Sequence, residues 1–251
     1  NTLIYWLKLW YGGIEVPELI KFKQEFIEKE EAPMKSNDKI VYNSQYMEME
    51  HINDAVVQLM YVGMAAGKTH TVIEWLKQYL ENRKVIWITN KVLFAKNLDG
   101  RLTAKELNFT NYKDVKGNVE QRKLVYKNTN KLVINLESLH YTLGIEYDVV
   151  IIDEIESLYA SFLNEKTHSN IGKNFTNNYA AFENHLFKAK KIFAMDAFLH
   201  KRTKEYLEII RPSITTNMIM RCKDIDDMKK YVIDMHYMEW LNQIITDIRN
   251  G

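Results

Sequence analysis

Five short apolar runs rich in Val and Ile recur along the chain: VVQLMYV (residues 56–62), KVIWIT (84–89), LVINL (132–136), DVVIID (148–153) and KIFAMDA (191–197). Between or after them lie stretches in which apolar residues return every three or four positions, the spacing of one helix face. HTVIEWLKQYL follows the first run, and VLFAKNLDGRL, with Leu93, Phe94, Leu98 and Leu102 at helical spacing, follows the second. EIESLYASFL follows the fourth, and a further helix is predicted near TKEYLEII after the fifth. The five runs are dominated by apolar residues and do not alternate apolar with polar, so they predict strands buried on both faces. Strands alternating with helices predict α/β architecture: a doubly wound, mainly parallel sheet with helices on both faces.

The ends of the chain read differently. Residues 2–31 have a helical pattern that Pro33 breaks, and the polar stretch 36–39 separates it from IVYNSQYM. A boundary is therefore expected near residue 38, with 1–38 an accessory helical segment. Residues 164–178 are polar and are expected to form a mobile loop, and no strand–helix series is expected after Pro212. The chain starts without Met and stops in a helical pattern, which leads us to expect a piece of a longer polypeptide.

Composition narrows the chemistry. The 251 residues are ample for a sizeable core, and 46% hydrophobic with 27% charged residues is a globular composition. The formal net charge of +1 supplies no global basic field, so contact with nucleic acid has to come from a local surface. Cys222 has no partner in the chain, which suits a reducing, intracellular compartment and removes a Cys-based zinc site. The 7 histidines show no H-x-x-x-H or H-E-x-x-H spacing, and no G-x-S-x-G elbow is present. No apolar run reaches the length of about 18 residues that a membrane helix needs.

The strongest local signal is VGMAAGKTH, residues 62–70, between the first strand and its helix. Gly67, Lys68 and Thr69 form the second half of a Walker A loop. A Gly-Lys-Ser/Thr tripeptide arises by chance in a chain of this size about one time in ten; its place between strand and helix makes it a candidate site. There, backbone N–H groups and a helix N-terminus receive phosphate oxygens, the lysine reaches the β and γ phosphates, and Thr69 offers a hydroxyl to Mg²⁺. The expected nucleotide-binding set is Gly63, Met64, Ala65, Ala66, Gly67, Lys68, Thr69 and His70. Val62 and Ala65 depart from the pattern, since a small residue is expected at the first position and helicase-type loops favour glycine at the second.

The second signal is Asp153-Glu154, closing the fourth run. In a parallel sheet this end emerges at the same edge as the phosphate loop. Asp153 is expected to hold the metal with Thr69, and Glu154 to polarise the attacking water, with Lys68 the third catalytic group. Taken alone, an acidic pair ending a strand serves more often as a helix cap.

The set GMAAGKT, ITNKVLFAKNLDGRL, VINLESLHYTL, YDVVIIDEIESLYASF and AMDAFLHKRTKEYL resembles, in order, the motifs of the herpesvirus-like replication origin-binding protein helicases, a branch of superfamily 2. The resemblance covers roughly residues 40–207, and its most specific pieces are Glu137 to Leu139, Asp153 to Ser157 and Met195 to Ala197. It implies a RecA-like, P-loop NTPase domain over residues 39–220. It implies that Thr89, Asn90, Lys91 and Arg101 belong to one segment that contacts a nucleic-acid strand, and Glu137, Ser138 and His140 to a second. Asp196 resembles the residue that couples nucleotide state to the strand. The blander reading makes Lys91, Lys96 and Arg101 a solvated helix face and Asp196 a helix cap. YVIDMHYMEWLNQIITDIRNG resembles the short strand and helix that enter a second domain, so 221–251 is expected to be a linker and a truncated start of that domain.

The resemblance thus implies an ATP-binding motor domain of a viral DNA helicase acting in replication, with ATP and Mg²⁺ as cofactors. Its implied partners are single- or double-stranded DNA, with RNA an alternative, and other replication proteins, but no membrane. A viral source would place it in the host cytoplasm or nucleus. Without the second domain's arginines, ATP binding with little turnover is expected. Two other readings stand beside it: a degenerate P-loop scaffold that binds nucleic acid without an ATP cycle, motivated by Val62 and Ala65, and a P-loop kinase, for which no lid or acceptor pocket is legible.

Overall fold

The computed structural model describes residues 39–42, 46–63, 66–90, 92–162 and 173–221. The expected accessory segment 1–38 and nearly all of the expected 221–251 segment lie outside the described residues. So do Met64, Ala65 and Lys91 of the expected site.

An eight-stranded sheet carries the molecule, in the order β1-β8-β2-β7-β6-β3-β5-β4. The strands are β1 (Lys39–Tyr42), β2 (Val57–Tyr61), β3 (Val85–Thr89), β4 (Thr110–Asn111), β5 (Lys131–Asn135), β6 (Val149–Asp153), β7 (Lys191–Asp196) and β8 (Thr216–Arg221). Every pairing among them is parallel. The helices are α1 (Lys68–Tyr79), α2 (Val92–Thr103), α3 (Val119–Asn128), α4 (Ile155–Phe162), α5 (Lys173–Lys188) and α6 (Lys201–Ile210). The doubly wound α/β class expected from the sequence is the one observed.

Alternation within the strands explains the two faces. Val85, Trp87, Val149, Ile151, Phe193 and Met195 point to one side, where they pack with Val72, Ile73 and Leu76 of α1 and Leu98 and Leu102 of α2. Ile86, Ile88, Val150, Ile152, Ile192 and Ala194 point to the other, against Tyr126 of α3, Leu158 of α4, Phe182 and Leu186 of α5 and Leu207 of α6. Both sides are dry, so the strands need apolar residues at consecutive positions.

The structure adds three strands and two helices to the expected set. β8, which the apolar pattern did not reveal, follows Pro212 and lies beside β2. Residues 173–178, expected to be loop, open α5; Phe175, Tyr179, Phe182 and Leu186 recur at helical spacing and pack on the core. Their signal is masked by the polar residues between them, among them Asn177 and the buried Asn178. α3 carries exposed Val119, Leu124 and Val125 and buries only Tyr126, so apolar periodicity could not reveal it. Its start is set instead by a reciprocal cap, with Gln121 N–H donating to Asn118 Oδ1 at 3.0 Å and Asn118 N–H to Gln121 Oε1 at 2.9 Å.

β7 lies between β2 and β6, so the carboxyl ends of these three strands stand side by side. The order of strands reverses around them: the path from β2 runs out to β3 and the edge strand β4 and returns through β5, β6 and β7. Ligands of open α/β sheets collect at such a point.

Candidate nucleotide and metal site

The loop leaving β2 is pinned at both ends. Val62 N–H donates to the Asp196 carbonyl at 3.3 Å, tying its start to the end of β7. At its far end Gly67 adopts φ +92°, a left-handed conformation that a side chain disfavours, and hands the chain to α1. A Cβ there would lie 3.4 Å from the Met47 nitrogen. Met47 in turn holds the loop from outside: its N–H donates to Ala66 O at 3.0 Å, and its carbonyl accepts the Thr71 hydroxyl at 2.8 Å.

Lys68 opens α1 and folds back across the loop, donating its ammonium to the carbonyls of Val62 at 2.5 Å and Gly63 at 3.0 Å. Burial lowers its pKa; the negative fields of Asp153, Asp196 and Glu154 oppose that shift. Thr69 donates its hydroxyl to Asp153 Oδ2 at 3.1 Å. Burial pushes the Asp153 carboxyl up to about 6 against the Thr69 hydrogen bond and the Lys68 charge. The sheet therefore brings Lys68, Thr69 and Asp153 to one point. Glu154 follows at φ +56°, a left-handed turn that redirects the chain sharply from β6 into α4. Beside them a hollow of about 480 Å³ is lined by Tyr46, Ala66, Gly67, Lys68, Thr69, His70 and Arg101.

Asp196 is buried and holds two elements. Its Oδ2 accepts the Glu156 N–H at 3.0 Å, at the start of α4, and its Oδ1 accepts the Phe198 N–H at 2.9 Å. The helix it serves is α4, earlier in the chain, and not the next helix α6, and its carbonyl contact with Val62 joins it to the phosphate loop. Glu156 extends the connection. Its buried carboxylate accepts from His200 N–H at 2.9 Å, the Thr203 hydroxyl at 2.5 Å, and Arg202 Nε at 2.8 Å and Nη2 at 2.6 Å. Sequence reasoning assigned Glu156, Arg202 and Thr203 no role. The available signal was a glutamate set between Ile155 and Leu158 on the buried face of an otherwise apolar helix.

The residues expected to contact a strand are divided. The Thr89 side chain is buried in the sheet, its hydroxyl 3.4 Å from Ile134 O, and Asn90 is the partly exposed neighbour in the same segment. Glu137, Ser138 and His140 share the 3₁₀ turn Leu136–Thr142 after β5. Asn178 of α5, which the sequence left in a loop, braces that turn: its Oδ1 accepts His140 N–H at 2.6 Å and its Nδ2 donates to Glu137 O at 3.3 Å. Arg101 was grouped with the first segment, Thr89, Asn90 and Lys91. It lines the hollow of the phosphate loop.

A family model described as origin of replication binding protein matches residues 34–223. A protein of Acanthamoeba polyphaga mimivirus with the provisional name replication origin-binding protein is 26% identical over 190 residues, covering 75% of this chain and 23% of that protein. A protein of African swine fever virus provisionally named helicase/primase complex protein is 28% identical over 250 residues, covering 94% and 21%. The replication origin-binding protein of human herpesvirus 7 is 28% identical over 165 residues, covering 65% and 19%. The chain spans about a fifth of the length of these relatives. Among solved structures, the UvsW helicase of bacteriophage T4 is 11% identical with a TM-score of 0.43 over 79% of this chain and 67% of that one.

Proposed function

We propose a function from one premise: the chain belongs to the origin of replication binding protein family. It is the ATP-binding motor domain, the first of two RecA-like domains, of a superfamily 2 DNA helicase acting in viral DNA replication. The observation that carries the reading is the convergence of Lys68, Thr69 and Asp153 at the carboxyl edge of β2, β7 and β6.

Gly67 and the first N–H groups of α1 receive phosphate oxygens, and the Lys68 ammonium leaves its two carbonyls for the β and γ phosphates. The exchange is favourable because a phosphate is a charged acceptor and the carbonyls are neutral ones. Asp153 and Thr69 are the oxygen donors that a small hard cation takes, and burial leaves the Asp153 carboxylate in want of positive charge. They would hold Mg²⁺, which supplies charge neutralisation for the phosphates. Glu154 accepts a proton from water as the water oxygen bonds to the γ phosphorus and the bond to the β–γ bridging oxygen breaks, giving ADP and phosphate. Asp196 carries the change in the loop to α4 through its contacts with Val62 and Glu156. Asn90, Glu137, Ser138 and His140 contact the DNA strand, through backbone and hydroxyl groups as much as through charge.

Calorimetric titration of the chain with Mg-ATP tests the reading. Wild type is expected to bind and Lys68→Ala to lose at least tenfold in affinity, with slow turnover in both because an arginine from a second domain is worth roughly 10³ or more in rate. Absence of Mg-ATP binding by the folded wild-type chain would favour the scaffold reading instead.

A further inference from the structure

By resemblance Arg101 was grouped with Thr89, Asn90 and Lys91 as one strand-contacting segment. The fold sets it on the face opposite the second such segment, Glu137, Ser138 and His140, and beside the phosphate loop. Leu98 and Leu102, on either side of it in α2, pack with Val72 and Leu76 of α1 on one face of the sheet. Leu136 and Leu139, which carry Glu137, Ser138 and His140, pack with Phe182 and Leu186 of α5 on the opposite face. α2 is fastened to the phosphate-loop helix at its end, where Lys105 pairs with Glu74 of α1 at 2.9 Å.

The last turn of α2 is thereby placed so that Arg101 lines one hollow with Ala66, Gly67, Lys68, Thr69, His70 and Tyr46. The hollow, about 480 Å³, is within the range of roughly 300–1,000 Å³ typical of sites for small ligands. Lys68 and Thr69 are the triphosphate end of this wall, being turned toward Asp153. The remaining wall is formed by His70, Tyr46 and Arg101, whose side chains end in planar groups. Tyr46 is held there by its neighbour Met47, which is hydrogen-bonded to Ala66 and Thr71. A guanidinium stacks on a flat π-system while remaining charged, a property an ammonium lacks.

We propose that Arg101 is a nucleotide-site residue that recognises the nucleoside end of bound ATP, and takes no part in holding the nucleic-acid strand. The inference rests on the nucleotide-binding reading above and refines it by naming the side chain that distinguishes a nucleotide from bare polyphosphate. Its effect falls on base and ribose, not on the phosphates.

The test compares Mg-ATP, inorganic tripolyphosphate with Mg²⁺, and a fluorescent single-stranded oligodeoxynucleotide as ligands of wild type, Arg101→Gln and Arg101→Lys. Arg101 is on the surface of α2, so the variants are expected to fold, which circular dichroism checks. Both substitutions are expected to weaken Mg-ATP about tenfold, the lysine included because the stacking plane is lost. Tripolyphosphate and oligonucleotide affinities are expected to stay within about twofold of wild type, since neither engages the stacking plane. Equal weakening of ATP and tripolyphosphate, full rescue by lysine, unchanged ATP affinity, or a selective loss of oligonucleotide binding would each overturn the proposal. Failure of wild type to bind either ATP or tripolyphosphate would overturn the underlying nucleotide reading along with it.

Discussion

Replacing Glu156 by alanine removes the one carboxylate that holds three groups of α6 and its lead-in: the His200 N–H, the Thr203 hydroxyl and the Arg202 guanidinium. The Glu156 and Arg202 side chains are only 9% and 14% exposed, so water cannot readily replace what is lost. A buried ion pair broken from one side costs about 3–5 kcal/mol, chiefly because the remaining charge is left without a partner. Against a total stability of roughly 5–15 kcal/mol this is a large fraction. With a urea dependence of about 2–3 kcal/mol per molar, the unfolding midpoint is expected to fall by about 1 to 2.5 M. Glu156→Gln keeps the shape and one acceptor oxygen but turns a neutral amide toward Arg202, for an expected loss of about 1.5–3 kcal/mol. Urea unfolding followed by far-ultraviolet circular dichroism supplies the numbers, and a double-mutant cycle with Arg202→Ala isolates the pair. The double variant should be more stable than the sum of the single losses implies, by about 2 kcal/mol. A Glu156→Ala loss below 1 kcal/mol, or single losses that simply add, would refute the view that this carboxylate fastens α6 to α4.

Two further outcomes follow from backbone and burial. Gly67→Ala places a side chain at φ +92° and a carbon near the Met47 nitrogen, so a loss of about 1–2 kcal/mol in stability is expected, together with weaker Mg-ATP binding; urea unfolding and calorimetry check both, and an unchanged midpoint would mean the loop relaxes freely. His185 is buried, and its pKa is lowered by burial to about 4. The Thr142 hydroxyl donates to Leu139 O at 2.6 Å, so its contact of 2.7 Å with His185 Nε2 is one in which the ring donates, and Nδ1 is left buried without a partner. The unfolded chain takes up a proton near pH 6.5 and the folded one only near pH 4, so stability is expected to be lost as pH falls through that window, at about 1.4 kcal/mol per unit from this residue. Midpoints in urea at pH 7, 6 and 5 should converge between wild type and His185→Gln as pH falls; parallel profiles would contradict the assignment.

The fold was legible wherever burial on both faces forced an unbroken apolar run. β2, β3, β5, β6 and β7 form the middle of the sheet, and each was visible as such a run. β1 and β4 are its edges and pair on one side only, so they need fewer apolar residues and give a weaker pattern. β8 hid for another reason: Asn217 is buried in it but satisfied, donating to Gln58 Oε1 at 2.6 Å and to His51 O at 3.0 Å. A polar residue with a private partner interrupts the apolar signal without weakening the strand, and the partner, far off in sequence, cannot be read in advance.

The same distinction governs the site. Gly67, Lys68 and Thr69 are contiguous, and their spacing records the loop they build; Asp153 joins them because a parallel sheet returns every strand end to one edge. Those relations survive in the linear sequence. Helix packing, and not strand order, decides where Arg101 and Asn178 fall: Arg101 follows α1 through Leu98 and Leu102, and Asn178 reaches the turn at His140 from a helix that the polar composition concealed. Glu156 belongs to neither kind. Its sequence neighbours are apolar, and its partners His200, Arg202 and Thr203 lie beyond a whole helix and strand. A carboxylate on a buried helix face must find a cation or several donors, because the cost of leaving it without them exceeds what the apolar neighbours contribute. That requirement could be stated from the sequence alone. The identity of the partner could not, since Lys201, Arg202 and Lys204 stand together and only the phase of α6 selects the arginine.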